Sequence, residues 1–290
     1  MGMIPTALAI LVSVCWGMNF AASKFALLHF PPFFTIFIRY VIVSIVLLPF
    51  AKRIDASFKQ LSILALLMIS AHFTLVFTSL WLGLSIATTV VAIQMGPPFS
   101  CLLGAIFLKD KLGGWRTLGM TISFMGIVVI AGTPDVLEHE LAFALAVLGA
   151  MVWAGSNIYM KTIGKQPVMP VMFWTALLSL PQTGLVTLLI EQDHWELLQT
   201  GPLHSWMGIA YSAIVSTIIG YGLWYWLLRT YDISQVAPFS LLVPISAFVA
   251  GILFFDEELT TQMLVGAIIT VIGVAIITIR RPRVVEEGMG

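Results

Sequence analysis

Trp16, Asn19 and Ser23 stand at i, i+3 and i+7 of an apolar run, so a helix there puts them on one face. A ring, an amide and a hydroxyl in one row can stack on a flat group and hydrogen-bond its polar substituents. Similar faces recur along the chain. His72 and Ser79 share one, with Val76 between, and Gln94, Pro97 and Cys101 share another. Trp153 and Asn157 lie one turn apart, Ser212 and Ser216 form one stripe, and Tyr211 and Tyr225 form a second. This is chemistry for holding a ligand rather than for breaking a bond. The serines have no evident His–Asp partnership, and neither His-Glu-x-x-His nor paired intramembrane Asp occurs. A phosphate loop and a dinucleotide fingerprint are also missing, so no nucleotide energy source, cofactor or metal is expected.

Polar side chains at mid-bilayer depth are expensive and mark ligand paths. Two uses stand open for Asn19, Gln94 and Asn157, which can line a cavity or bond a neighbouring helix. Trp115, Trp206 and Tyr231 suit interfacial anchoring. Trp16 and Trp153 lie too deep for that and are assigned to a central cavity, with Phe73 or Phe77 as further stacking partners. His72 is the only histidine far from an interface and is taken as a hydrogen-bonding ligand. Ser212 and Ser216 either reach the cavity or bond their own backbone. Pro97, Pro98 and Pro244 interrupt their runs at corresponding places, as hinges or as static kinks. Lys24 and Arg39 are placed near the outer end of their helices.

The elements that must position these residues are apolar on all sides. The chain is 59% hydrophobic and 10% charged, with mean hydropathy +1.01, against about 25% charged in a soluble domain. Ten runs are long enough for helices that cross the bilayer: about 4–27, 33–51, 61–82, 86–108, 114–132, 141–161, 170–190, 205–229, 235–255 and 262–280. Cys15 and Cys101 fall inside runs and read as small buried residues. Net charge is zero, and nothing points to nucleic acid.

The runs repeat. A shift of 147 residues aligns Pro97 with Pro244, Gly104 with Gly251, Leu112 with Leu259, Gly119 with Gly266 and Gly126 with Gly273. A shift of 137 aligns Trp16 and Lys24 with Trp153 and Lys161. Between the matches, Lys109-Asp110-Lys111 meets Asp256-Glu257-Glu258, so the equivalent loop has changed charge. Twelve of the fourteen basic residues fall on one side of the ten-run layout, and nine acidic residues fall in the opposite loops. Positive loops stay cytoplasmic. Five runs per half therefore give two inverted five-helix repeats, 1–136 and 137–290, in an all-α integral membrane protein with both termini in the cytoplasm. Gly119 with Gly126 and Gly266 with Gly273 place small residues on one face, for packing in the bundle or for a homodimer.

The residues that carry the repeat also carry a family resemblance. Trp16-Gly17-Met18-Asn19-Phe20 with Ser23-Lys24, then Pro31-Pro32-Phe33 and Arg39-Tyr40, open the first half. Gly96-Pro97-Pro98 through Leu108-Lys109-Asp110-Lys111-Leu112 close it. Leu242-Val243-Pro244 through Phe255-Asp256-Glu257-Glu258-Leu259-Thr260, with Gly266 and Gly273, form the second copy. The chain resembles the EamA family of the drug/metabolite transporter superfamily, and within it the aromatic amino-acid exporters. The resemblance implies a ten-helix bacterial inner-membrane exporter of small metabolites. At Ala154-Gly155-Ser156-Asn157 the second half departs from the first, because the Asn sits one residue later, so Asn19 and Asn157 are not equivalent.

All fourteen acidic residues lie in loops or the tail, which excludes a cation–proton pump built on a buried carboxylate. The expectation is a secondary transporter that moves small zwitterions, aromatic or neutral amino acids, down their own gradient through the bilayer. Purines or sugar derivatives are the alternative cargo, and a membrane enzyme or assembly protein is the alternative class. The charge pattern fixes a first test. A reporter active only in the cytoplasm, fused after Gly290, is expected to be active, and a silent fusion of an inserted protein rejects this orientation.

Overall fold

A computed structural model describes residues 2–110, 112–164, 166–231 and 233–279. Lys111, Lys165, Arg280, Arg281 and Arg283, all counted in the charge pattern, lie outside these residues. Every regular element among the described residues is helical, as an apolar solvent demands, because a helix satisfies its backbone polar groups within one segment. We number ten long elements: α1 Met3–Leu27, α2 Pro32–Val46, α3 Phe58–Trp81, α4 Ile86–Phe107, α5 Gly114–Ala131, α6 Glu140–Ile163, α7 Val168–Ile190, α8 Leu203–Thr230, α9 Ala237–Phe255 and α10 Thr261–Ile279. Nine are long and apolar enough to cross a membrane, and α2 is a shorter apolar helix. The expected runs agree to within a few residues except at the end of α2. Pro49 lies in a short 3₁₀ turn there, and α2 stops at Val46 instead of running on to residue 51.

The helix pairings reflect the inverted repeat. The pairs α1·α9 and α4·α6 are mates under it, as are α3·α6 and α1·α8, while α2·α7 and α5·α10 are each their own mate. The α5·α10 seam shows the symmetry residue by residue. A Cβ built on Gly126 would lie 2.7 Å from Gly266 O, and one on Gly119 would lie 2.7 Å from Gly273 O. The contacts run antiparallel and link each glycine to the partner of its own equivalent. The seven-residue spacing therefore serves a close backbone approach within the chain.

Loops divide by charge. Asp55 N donates to Gln166 Oε1 at 3.2 Å and Trp174 Nε1 to Lys52 O at 2.9 Å. These bonds bring Lys52, Arg53, Lys59 and Lys161 to one end of the bundle, called here the Gly164 end. The opposite, Lys24 end is acidic. Glu191 there accepts from Phe33 N and Phe34 N, both at 2.8 Å, and so caps α2.

Four helices lose their α-helical winding beside the bundle centre. In α3, Leu66–Ala71 is a π-helical segment, and in α8 Tyr211–Gly220 is another. The α-helical hydrogen bonding of α4 breaks at Gln94–Met95, just before Pro97-Pro98, and α9 opens with a 3₁₀ segment, Ala237–Leu241, just before Pro244. Proline cannot donate to the preceding turn, which accounts for the last two breaks.

The seam predicts a stability contrast. Gly126→Leu, which forces a side chain into α10 backbone, should cost about 1–3 kcal/mol or more and lower the melting temperature in detergent. Gly155→Ala, where a Cβ would meet nothing within 4 Å, should be neutral or slightly stabilising.

Candidate functional site

A cavity of about 280 Å³ lies between α1, α2, α3, α4, α6, α8 and α9. Trp16, Asn19, His72, Phe77, Gln94, Pro97 and Trp153 all line it, together with Phe73, Ser216 and Tyr221. The faces read from the sequence thus converge because their helices surround one centre. A second chamber adjoins it through the shared wall residues Phe73, Trp153 and Tyr221, and holds Asn157 and Tyr225. A third shares Met68, Met160, Met172 and Tyr225 with the second and reaches Gly164, Gln166 and Val168. The three chambers adjoin one another in series between the bundle centre and the Gly164 end.

The aromatic walls are braced from behind. Trp16 Nε1 donates to Ser216 O at 3.1 Å, and the ring lies 5.2 Å from Tyr221 and 5.1 Å from Trp224. This carbonyl belongs to the π-helical part of α8, where the ladder is irregular. The ring of Trp153 lies 4.9 Å from that of His72. His72 Nδ1 sits 2.9 Å from Gly149 O. A carbonyl only accepts, so Nδ1 carries the proton, and in the neutral ring Nε2 is left as an acceptor. Asn19 Oδ1 is buried beside the cavity without a partner.

Several residues sit elsewhere than the sequence suggests. Ser212 does not reach the cavity: its Oγ lies 3.4 Å from that of Ser23, which takes the wall position. The stripe of Tyr211 and Tyr225 is broken by the π-helical segment between them. An i→i+5 ladder turns less per residue than an α-helix, so the two rings lose their common face. Tyr211 instead donates to Cys15 O at 3.1 Å and borders a groove on the outside of α1. Tyr221, one turn before Tyr225, takes the central position. Pro98 and Pro244 are buried behind the wall. Arg39 is not near a helix end. With α2 shortened to Val46 it is the middle residue of that helix, 1% exposed, and it lines the cavity.

The Lys24 end is closed. Lys24 Nζ meets Glu257 Oε1 at 2.8 Å, and the same carboxylate accepts from Ile86 N at 2.6 Å and Ala87 N at 3.1 Å. It thereby ties α1 to the start of α4 and to the α9–α10 loop, with Phe25 stacked 4.7 Å from Phe255 beside it. The repeat supplies a mate for this pair at the other end. Lys161 and Asp110, which the two sequence shifts equate with Lys24 and Glu257, lie 3.9 Å apart and are 60% and 45% exposed. Both loops turn alike: Lys109 and Asp256 have φ of 55° and 50°, and Asp110 N and Glu257 N each donate to the glycine carbonyl six residues back at 3.2 Å.

The model of the EamA-like transporter family matches this chain twice, over residues 3–132 and 141–279. The chain belongs to the EamA-like transporter family. Among similar members, a protein of Escherichia coli K12 named "Probable amino-acid metabolite efflux pump" is 29% identical over 93% of both chains. A protein of the same name from Salmonella typhimurium LT2 is 30% identical over 93% of both. An "Uncharacterized transporter" of Archaeoglobus fulgidus is 27% identical over 92% of this chain and 95% of its own. One solved crystal structure shares the fold, with TM-score 0.64 at 14% identity over 95% of this chain and 96% of that one.

The closed end of this family member can be probed directly. With Cys15→Ser and Cys101→Ser as background, Phe20→Cys places a thiol in the cavity wall. Glu257→Ala removes the acceptor shared by Lys24 and the start of α4. It should raise labelling of that thiol by an impermeant reagent added at the Lys24 face several-fold, whereas an unchanged rate would place the seal elsewhere.

Proposed function

We propose that this chain exports amino acids and related small zwitterions, with aromatic and neutral side chains as preferred cargo, by alternating access across a bacterial inner membrane. The observation that carries this reading is one cavity walled by Trp16, Trp153, Phe73 and Phe77, with two further chambers adjoining it on the side of the basic end and the Lys24–Glu257 pair across the acidic end. Basic loops mark the cytoplasmic side, so the cavity faces the compartment from which an exporter loads. The names of the enteric relatives point the same way.

The two mated ion pairs supply the switch. Inverted repeats exchange conformations when a carrier changes sides. In the opposite state Lys161 and Asp110 close the cytoplasmic end while Lys24 and Glu257 separate. Pro97, Pro98 and Pro244 stand where α4 and α9 are already broken and can bend at little cost. His72 Nε2, Asn19 and Gln94 hold the polar part of the cargo, and Asn157 and Tyr225 line its entry.

Transport in liposomes tests the cargo. Trp153→Ala should lower phenylalanine transport roughly 5- to 100-fold, the worth of stacking and burying one ring, and should spare alanine. Equal loss for both amino acids would make Trp153 a packing residue, and absence of transport of either by the unaltered protein would refute the reading.

A further inference from the structure

Among the described residues Arg39 is the largest fully buried side chain, 1% exposed, and its charge has no counter-ion. Nη2 donates to Thr217 Oγ1 at 2.8 Å, but Nε and Nη1 are buried without a partner. Among the described residues it forms no ion pair; its charge faces aromatic rings, with the guanidinium carbon 4.4 Å from the centre of Phe73 and 5.9 Å from Phe77. Both rings line the cavity, as does Arg39. A guanidinium does not lose its proton in proteins, and an unpaired buried charge is costly. Cation–π contact offsets part of that cost but leaves two donors unused.

We infer that Arg39 is the anchor for a carboxylate on the transported molecule, and that this chain selects its cargo by the carboxylate rather than by the amine. This rests on the export reading above and names what that site recognises. Free N–H groups on Nε and Nη1, which lie on different edges of the guanidinium, offer a carboxylate charge-assisted hydrogen bonds at either edge. Phe73 is the part of the wall that must turn aside to present those donors. The other pole of the cavity is unlike the first. No acidic side chain lines it, and the side-chain acceptors available to an ammonium, Asn19 Oδ1, His72 Nε2 and the Gln94 amide oxygen among them, are neutral. Hydrogen bonds to a charged partner are stronger when both members are charged. Loss of the amine therefore costs less affinity than loss of the carboxylate.

Three probes separate the groups: phenylalanine, 3-phenylpropionate, which lacks the amine, and phenethylamine, which lacks the carboxylate. Binding to the purified full-length protein is measured by tryptophan fluorescence. Phenylalanine and 3-phenylpropionate should bind within about tenfold of each other, and phenethylamine should bind far more weakly. Arg39→Gln should weaken both carboxylates on the order of tenfold to a hundredfold, with Arg39→Lys falling between. If Arg39→Gln fails to fold, the three probes on the unaltered protein still decide. Equal binding of phenethylamine and phenylalanine overturns the inference and leaves amino-acid export standing. Binding of 3-phenylpropionate without phenylalanine keeps the inference and refutes amino-acid export. Binding of none of the three overturns both.

Discussion

Two helices of equivalent origin meet backbone to backbone at four glycines, and the halves are held in register there. Gly119, Gly126, Gly266 and Gly273 let α5 and α10 approach until the backbone of one touches the Cα positions of the other. In a lipid solvent hydrophobic burial does not drive helices together, so such close packing supplies the association. Because the seam pairs each helix with its own repeat mate, it sets the axis about which every other pairing is duplicated. The cavity then falls among the remaining helices, where seven of the other eight contribute to its wall.

That geometry also dictates where regular structure can fail. A backbone group left unpaired against lipid is costly, so irregular segments belong where protein or a cavity covers them. The π-helical parts of α3 and α8 and the breaks in α4 and α9 all lie around the centre. Their carbonyls are put to use: Ser216 O holds Trp16, and the turn at Gln94 places its amide on the wall. The site is thus built from places where the helices are least ideal.

Much of this was legible in the sequence. Run length and all-round apolarity point to the ten elements, and the charge-swapped loop, matched at a shift of 147 in the later runs and 137 in the first, points to the inversion. Mid-run polar residues gave most of the wall. What escaped has identifiable causes. No residue type announces a π-helical segment, so the stripe of Tyr211 and Tyr225 expected of a regular helix does not survive in α8, and Tyr221 rather than Tyr211 stands with Tyr225. Ser212 was credited to the cavity because a stripe does not tell which of two neighbouring helices stands in front. Arg39 was placed at a helix end because the apolar run continues past Val46, although Pro49 was a usable signal that the helix stops early.

The two mated carboxylates are not equally engaged. Among the described residues, Glu257 accepts from three donors, whereas Asp110 meets one lysine at 3.9 Å. The Lys24 end is thus tied more firmly than the Gly164 end. Loss of the one carboxylate of Glu257 therefore loosens α1, the start of α4 and the α9–α10 loop together, whereas loss of Asp110 releases only one exposed lysine.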